Sequence, residues 1–221
     1  QVEVPARDLD EEGVEVHLGS HIAPGFFAWV IPLGDGRARV GLACRGVDPR
    51  RTLRIFLRRR LGLRGIEPPY SGSVLTCGPV PKTYSERVLV VGDAAGQVKP
   101  TTGGGVILGG LCAKIAGKVA AEALREGDAS AAFLRKYEQG WRELLGREFS
   151  LMLKLRKLLD ALPDKAMDMA FRMASELDIA GEISARADMD LQSSVISGLP
   201  ILLLKGLLRA FGRSTKRPLS P

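Results

Sequence analysis

The sequence predicts an α/β (α+β) fold in which an antiparallel sheet is followed by one buried strand and then by helices. Three observations indicate it. Apolar and polar residues alternate in the first part of the chain, a continuous apolar run ends in Gly92-Asp93, and apolar residues then recur at helical spacing. The 221 residues are 45% apolar and 26% charged, a composition that excludes disordered and low-complexity chains.

Residues 1–46 are expected to form the antiparallel sheet. Residues 14–18 and 37–44 alternate between apolar and polar, whereas residues 26–31 form an apolar run. The apolar members of the first stretch should share one face of a strand: Val14, Val16 and Leu18. The turn Leu33-Gly34-Asp35-Gly36 predicts a hairpin, since glycine readily adopts positive φ.

A buried strand and several helices account for the rest of the chain. Val88–Val91 is an uninterrupted apolar run, typical of a strand covered on both faces in a parallel sheet. Helical spacing predicts a basic helix over residues 49–61, a second from 104 or 105 to about 125, a third over 130–162, and two or three more. The second helix has small residues at every fourth position, which we expect to admit a close neighbour: Gly105, Gly109, Ala113, Gly117 and Ala121.

Positive charge is concentrated in two places. The net charge is +7, and no acidic residue follows Asp190, although five basic ones do: Lys205, Arg209, Arg213, Lys216 and Arg217. A basic, apolar tail suits an anionic membrane surface, but its apolar run Leu199–Leu204 is too short to span a bilayer. The other cluster has seven arginines between Arg50 and Arg64, and a solvated face explains it equally well. Neither cluster shows the interleaved aromatic residues of a nucleic-acid surface, so we expect no nucleic acid.

Cysteine and histidine usage narrows the possible chemistry. Cys44, Cys77 and Cys112 are widely spaced and form no CxxC pair, which favours reduced thiols in a cytoplasmic protein. The two histidines, His17 and His21, have no Glu or Cys nearby in a zinc pattern, so we expect no metal site. A chain with only these two histidines is also a poor candidate for a Ser-His-Asp hydrolase.

The stretch from Arg87 to Val106 carries the chemistry. An apolar run ends in Gly92-Asp93, a loop of small residues follows, and the triple glycine 103–105 opens a helix. A carboxylate at the carboxyl end of a strand is suited to accept hydrogen bonds from sugar or ribitol hydroxyls. Glycines let a flat ring or a phosphate approach the backbone, whose N–H groups favour partial negative charge. The alternative is a tight strand-to-helix turn in which the glycines serve packing only.

This stretch resembles the second flavin-binding motif, the GD motif, of FAD-dependent oxidoreductases with the aromatic-hydroxylase fold. It is most similar to the geranylgeranyl reductase family, whose GDAAG-x-x-x-P-x-x-G-G-G-[IV] pattern the chain matches. The resemblance implies that the chain contributes the last strand and helix of a Rossmann-like FAD domain. It implies one set of FAD-binding residues: Gly92, Asp93, Ala94, Pro100, Gly103, Gly104, Gly105 and Val106. Asp93 would bind the ribitol, and residues 104–106 would face the pyrimidine edge of the flavin.

Two further stretches extend the resemblance over nearly the whole chain. Residues 24–32 are similar to the family's PxxYxWxFP motif, which implies a substrate pocket lined by four side chains: Phe27, Trp29, Ile31 and Pro32. Phe27 stands where the family usually has Tyr, and Ile31 where it usually has Phe, so no hydroxyl role is carried over. Ordinary sheet packing is the alternative for these side chains. Residues 137–142 and 188–190 resemble the helical C-terminal part of archaeal members.

The family also holds the ADP half of FAD with a GxGxxG motif near its N-terminus, and this sequence contains no GxGxxG. We therefore expect the chain to be the C-terminal part of a longer enzyme, by fragmentation or natural truncation. The expected division is a substrate-binding sheet region over residues 1–85, the second half of the FAD domain over 86–127, and a helical region with the basic tail over 128–221.

The resemblance implies an FAD-dependent reductase that saturates C=C bonds in the prenyl chains of isoprenoid lipids or diphosphates. Reduced flavin would give the hydride, with NADPH, ferredoxin or a deazaflavin as electron donor, and no catalytic residue is assigned. We expect a cytoplasmic protein with peripheral contact on the cytoplasmic face of the membrane. Two alternatives stay open: a flavin monooxygenase of the same fold, and a truncated, non-catalytic membrane-associated module.

Overall fold

A computed structural model describes residues 1–67, 72–176, 181, 188 and 190–196. The chain divides into two compact units, Gln1–Ser73 (unit 1) and Val74–Pro221 (unit 2), each with a hydrophobic core of its own. The fold is mixed α/β, as predicted, with an antiparallel sheet followed by helices. The apolar run of the tail, Leu199–Leu204, and the five basic residues beyond it lie outside the described residues.

Unit 1 is built on a four-stranded antiparallel sheet, which confirms the sheet expected in residues 1–46. Its strands are β1 (Val2–Pro5), β2 (Glu15–Leu18), β3 (Phe27–Gly34) and β4 (Arg37–Leu42), placed in the sheet in the order β1-β4-β3-β2. The predicted hairpin joins β3 to β4, and its turn residues Asp35 and Gly36 have φ angles of 52° and 66°. Positive φ at both central positions is the geometry that an Asp-Gly turn favours between paired strands.

One face of this sheet forms the core of unit 1. Helix α1 (Pro49–Leu61) buries three side chains in that core: Leu53, Phe56 and Leu57. The sheet contributes small and β-branched side chains to the same core: Val4, Ala28, Val30, Ala38 and Val40. The Asp48 side chain accepts a hydrogen bond from the Arg50 N–H where the helix begins, and Gly62 ends it with a φ of 71°. The helix predicted over residues 49–61 is therefore confirmed.

The opposite face of the sheet is open in the described part of unit 1. Leu18 lies opposite Phe27, and Val16 lies opposite Trp29. Directly opposed residues point to the same side of a sheet, so these four apolar side chains share one face. Val16 is 54% exposed there. Unit 1 thus displays an apolar surface on the side of the sheet away from its core.

The apolar run Val88–Val91 takes part in a short antiparallel ribbon. Strand β5 (Tyr84–Ser85) pairs antiparallel with β6 (Val88–Leu89), and Val88 is 47% exposed. The described residues, in which β6 pairs with β5 alone, thus do not show the parallel-sheet strand that the run predicts, and that strand stays a prediction. Leu89 and Val91 pack against the helical core instead. Contact with helices and a place inside a parallel sheet select the same apolar residue types, which the sequence pattern does not distinguish.

The three longest helices in the described part of unit 2 follow this ribbon. They are α2 (Val106–Glu126), α3 (Ala131–Ala161) and α4 (Asp164–Glu176), so the two long predicted helices are confirmed within two residues at each end. Ser130 begins α3 by accepting a hydrogen bond from the Phe133 N–H, and Pro163 follows its end. The core lies between α2 and α3, and its largest fully buried side chains are Trp141 and Tyr137.

The stripe of small residues on α2 admits a close neighbour at its start only. A Cβ on Gly105 would lie 2.7 Å from Val98 Cγ1, and one on Gly109 would lie 3.3 Å from Gly92 Cα, whereas Ala113, Gly117 and Ala121 are exposed. Positions four apart drift by about 40° around an α-helix with each step, so such a stripe winds off any flat interface. The buried face has successive spacings of four, four, three and four: Leu108, Cys112, Ala116, Val119 and Ala123.

No helix in the described part of the chain is long and apolar enough to cross a membrane. Helix α4 is amphipathic but buries no residue, and its Met169 and Phe171 are more than half exposed.

The three cysteines should differ sharply in reactivity. Burial raises the pKa of the Cys112 thiol to about 11, so about one molecule in a thousand carries the reactive thiolate near pH 8. Cys77 is exposed and Cys44 is half-buried, with burial raising the pKa of Cys44. Titration with a chromogenic disulfide should show one fast thiol, and Cys77→Ser should remove it. A fast phase that survives this substitution would contradict the described burial.

Candidate functional site

The GD motif folds as a compact loop between β6 and α2, here called the GD loop (residues 92–105). Residues 92–95 form one turn of 3-10 helix, which Gly96 ends in the left-handed region with a φ of 67°. Residues 95–100 are then buried without a break. One side of the loop is therefore buried in the protein, whereas Asp93 and Ala94 are exposed on the other side.

A buried glutamine fixes the first glycine of the motif. The Gly92 N–H donates to Gln97 Oε1 at 2.8 Å, and Gln97 Nε2 donates to the Tyr137 hydroxyl at 2.9 Å. That hydroxyl in turn donates to the Val90 carbonyl at 3.0 Å. Burial raises the pKa of Tyr137 to about 12, so the hydroxyl keeps the proton that it donates. Helix α3 thus positions both ends of the turn through one side chain.

The residues around Tyr137 anchor the segment before the motif as well. Glu138 Oε2 accepts hydrogen bonds from the Thr83 N–H at 2.7 Å and from Thr83 Oγ1 at 3.1 Å. Trp141 Nε1 donates to Thr83 Oγ1 at 2.9 Å, and Arg142 Nη2 donates to the Pro81 carbonyl at 3.0 Å. The stretch that resembled the helical part of archaeal reductases therefore has a physical role, since it binds the polypeptide on both sides of β6.

Lys99 closes the glycine end of the GD loop. Its N–H donates to the Gly104 carbonyl at 2.9 Å, and its carbonyl accepts from the Gly103 N–H at 2.8 Å. The Gly103 N–H is therefore bonded inside the loop. A Cβ on Gly104 would lie 2.7 Å from Lys99 Cε, so a larger residue here would require the lysine side chain to shift.

A later segment of the chain packs on the same loop. Lys99 Nζ forms an ion pair with Asp190 Oδ1 at 2.8 Å, and Lys99 is 8% exposed. Thr101 Oγ1 lies 2.7 Å from Gln192 Oε1, to which the hydroxyl donates. The Asp188 carboxylate accepts hydrogen bonds from the N–H groups of Asp190 and Leu191, which lowers the pKa of Asp188. Asp190 and Gln192 thus bind the GD loop at Lys99 and Thr101.

The outer side of the GD loop is polar and open. Helix α2 begins at Val106, which is 88% exposed, and its N-cap residue Gly105 offers no side chain to the first N–H groups. The first turn of a helix carries N–H groups without intrahelical partners and a partial positive charge. A Cβ on Gly105 would lie 2.7 Å from Asp93 Oδ1 and from Val98 Cγ1. A larger residue at position 105 would have to displace the Asp93 carboxylate and the buried Val98 side chain.

This arrangement fits the flavin that the sequence implies. The exposed Asp93 carboxylate can accept hydrogen bonds from a hydroxyl-bearing chain. The N–H groups at the open start of α2 can donate to an electron-rich ring edge, and the missing Cβ at Gly105 leaves room for that edge. Asp93, Ala94 and Val106 are on the open side, whereas Pro100 is on the buried side. Gln97, Tyr137 and Lys99 were not predicted as site residues.

The predicted substrate-pocket residues lie on β3 in unit 1. Phe27, Trp29 and Ile31 alternate along the strand and so share its open face. The rings of Phe27 and Trp29 contact edge to face at 5.9 Å, and Trp29 lies over Gly41, where a Cβ would be 2.4 Å from its ring. Pro32 pairs with Ala38 of the core face and lies on the other side of the strand. The structure brings three of the four residues together.

Comparison with known proteins gives independent evidence of the kinship of this chain. No protein-family model matches the chain. It is 44% identical over 185 residues to digeranylgeranylglycerophospholipid reductase 2 of Methanothermobacter thermautotrophicus, an alignment that covers 81% of this chain and 48% of the relative. It is 34% identical over 214 residues to the protein of the same name in Methanopyrus kandleri, which covers 92% of this chain and 54% of the relative. The chain spans about half the length of the curated relatives it matches.

The fold has a counterpart among solved structures. The crystal structure of a geranylgeranyl bacteriochlorophyll reductase-like protein from Thermoplasma acidophilum matches with a TM-score of 0.70 at 23% sequence identity. The match covers 93% of this chain and 49% of that one. At this identity the likeness shows a shared fold, while the sequence relatives carry the evidence of kinship.

Proposed function

This chain belongs to the geranylgeranyl reductase family, and we propose that it contributes the flavin-facing and lipid-facing parts of an FAD-dependent reductase. The reaction would saturate C=C bonds in the prenyl chains of isoprenoid lipids, in keeping with the lipid reductases named among its relatives. The observation that carries the proposal is the GD loop, whose inner side is bonded to α3 and whose outer side presents a carboxylate beside an open helix start.

Each residue of the outer side has a separate task in this proposal. The Asp93 carboxylate accepts hydrogen bonds from the ribitol hydroxyls. The N–H groups of Gly104, Gly105 and Val106 lie along the pyrimidine edge, where the helix dipole favours negative charge. Gln97 and Tyr137 hold these groups in place, because they fix Gly92 at the start of the turn. FAD, when bound, supplies the hydride that an unpolarised alkene requires.

The open face of the sheet supplies the apolar surface for the lipid. Phe27, Trp29 and Ile31 would contact the prenyl chain and exclude water from it. A phenylalanine at position 27 carries no exchangeable proton, so this side chain orients the chain and does not protonate it. NADPH, ferredoxin or a deazaflavin remains the proposed electron donor.

Flavin binding tests the proposal directly. The chain is prepared alone and joined behind the N-terminal half of the Methanothermobacter relative, and each protein is gel-filtered after mixing with FAD. We expect flavin absorbance near about 370 and 450 nm to stay with the joined protein. With dithionite as the electron source, that protein should saturate a prenyl glycerophospholipid. Oxygen consumption dependent on NADPH would indicate a monooxygenase instead.

Asp93→Ala should weaken FAD binding by about tenfold to a hundredfold, because it removes charge-assisted hydrogen bonds to the ligand. Asp168→Ala is the matched control, since Asp168 is an exposed aspartate on α4. The measurement is the dissociation constant from flavin fluorescence quenching. Equal affinities for the two variants, or no flavin bound by either form of the protein, would refute the assignment of the GD loop.

A further inference from the structure

Helix α1 carries a concentration of positive charge that the proposed reaction does not use. Its thirteen residues include six arginines and no acidic residue: Arg50, Arg51, Arg54, Arg58, Arg59 and Arg60. The opposite side of the helix is committed to the core through Leu53, Phe56 and Leu57. Five of the arginines are exposed on the outward side of α1, here called the arginine face, whereas Arg60 is half-buried near the core side.

Most of this charge is not neutralised within unit 1. Arg54 forms an ion pair with Glu67 at 2.9 Å, and Arg60 forms one with Glu15. The other four arginines of the helix have no ion pair within the described part of the chain: Arg50, Arg51, Arg58 and Arg59. Like charges at adjacent helical positions repel one another, which favours a multivalent anionic partner for the arginine face.

Two open cavities flank the arginine face and give it an amphiphilic character. One, of about 390 Å³, has Arg59 and both histidines at its polar side and Ile22, Phe56 and other apolar residues along its wall. The other, of about 510 Å³, has Arg51, Arg54, Arg58 and Arg64 beside Leu57, Leu63 and Ile66. Ile55 lines both cavities. Guanidinium groups beside apolar recesses match a phosphate that is attached to a glycerol and hydrocarbon chains.

We propose that the arginine face docks unit 1 on the surface of a membrane that contains anionic phospholipids. The arginines bind lipid phosphates, and the two recesses take the glycerol and the first methylene groups. A nucleic-acid partner fits less well, because the aromatic residue of α1, Phe56, is 6% exposed and offers no stacking surface. The docking requires neither FAD nor turnover, so its test stands apart from that of the proposed function.

Vesicle binding by the whole chain tests this inference. Vesicles of phosphatidylcholine with about one third phosphatidylglycerol are compared with vesicles of phosphatidylcholine alone, at low salt and at about 0.5 M NaCl. We expect binding to the anionic vesicles only, with affinity lost at high salt. The variant R50Q/R51Q/R58Q/R59Q should bind at least about fiftyfold more weakly, since each basic side chain near an anionic surface contributes about fivefold.

Exposed basic residues of α2 and α3 provide the matched control. The variant K114Q/K118Q/R125Q/R135Q removes the same number of charges from exposed positions, and it should lose clearly less affinity than the α1 variant. Circular dichroism verifies the fold, and R51Q/R58Q replaces the fourfold variant if that one unfolds. The inference fails if either α1 variant binds within about twofold of the parent, or if the control variant loses as much. It also fails if a short RNA duplex binds more tightly than the vesicles with the same arginine dependence.

Discussion

Gly96→Ala should destabilise unit 2 by at least about 4 kcal/mol, the range in which a substitution disrupts a core. Gly96 has a φ of 67°, where an alanine costs about 1–2 kcal/mol. The greater part of the loss is steric, because the added Cβ would lie 2.3 Å from the Gly78 carbonyl oxygen and 3.2 Å from Pro79 Cα. Both are backbone atoms, and the Val80 N–H holds that backbone to the Ala95 carbonyl at 3.0 Å.

Gly127→Ala separates the two causes. Gly127 ends α2 with a φ of 69°, nearly the same backbone geometry, but a Cβ there would meet nothing within 4 Å. It should therefore lose only about 1 kcal/mol. Urea unfolding followed by circular dichroism gives both free energies of unfolding. Similar losses for the two variants would show that the loop backbone yields, and that the close approach at Gly78 is not a constraint.

Gln97→Met should cost about 2–3 kcal/mol and should also weaken FAD binding. Methionine has a similar volume, but it leaves the Gly92 N–H without its acceptor and removes the donor to the Tyr137 hydroxyl, which keeps only its bond to the Val90 carbonyl. A buried polar group that loses its hydrogen bond costs about 1–3 kcal/mol. Because Gly92 precedes Asp93 directly, the loss at position 97 reaches the ligand side of the loop.

Gln139→Met controls for the chemistry of the substitution. Gln139 lies on the same helix as Tyr137 but is exposed, so this variant should keep the stability and the flavin affinity of the parent. The FAD affinity of Tyr137→Phe should lie between those of Gln97→Met and Gln139→Met, since this variant loses the hydroxyl but keeps Gln97 bonded to Gly92. An affinity for FAD that is unchanged in Gln97→Met would mean that the Gly92 position does not control the ligand side.

The parts of the fold that the sequence predicted well are those with local causes. The hairpin follows from Asp35-Gly36, α1 from the residues between Asp48 and Gly62, and α3 from its cap at Ser130 and Pro163 beyond its end. Each of these signals lies within or beside the element that it specifies. Such elements can be predicted without knowledge of the rest of the chain.

The failures have causes that are distant in sequence. Gln97 was missed as a positioning residue because its partner Tyr137 follows forty residues later, with the amide and hydroxyl bonded to each other in the core. For Val88–Val91 the sequence did not reveal that Leu89 and Val91 pack against the core of α2 and α3, because an isolated apolar run does not show its partners. The GD pattern identified the loop, while the structure shows which of its N–H groups are used internally, as at Gly103.

The bonding of the GD loop to α3 should also slow the exchange of the amide hydrogens of the loop. Loops usually exchange their amide hydrogens quickly, because they open without disturbing the core. Here the N–H groups of Gly96, Gln97 and Lys99 are bonded within a segment whose residues are buried. These amides should exchange only when the α2–α3 core opens, as slowly as the helices themselves. In the proposed flavin site the loop would therefore be a rigid wall that does not move when the ligand enters or leaves.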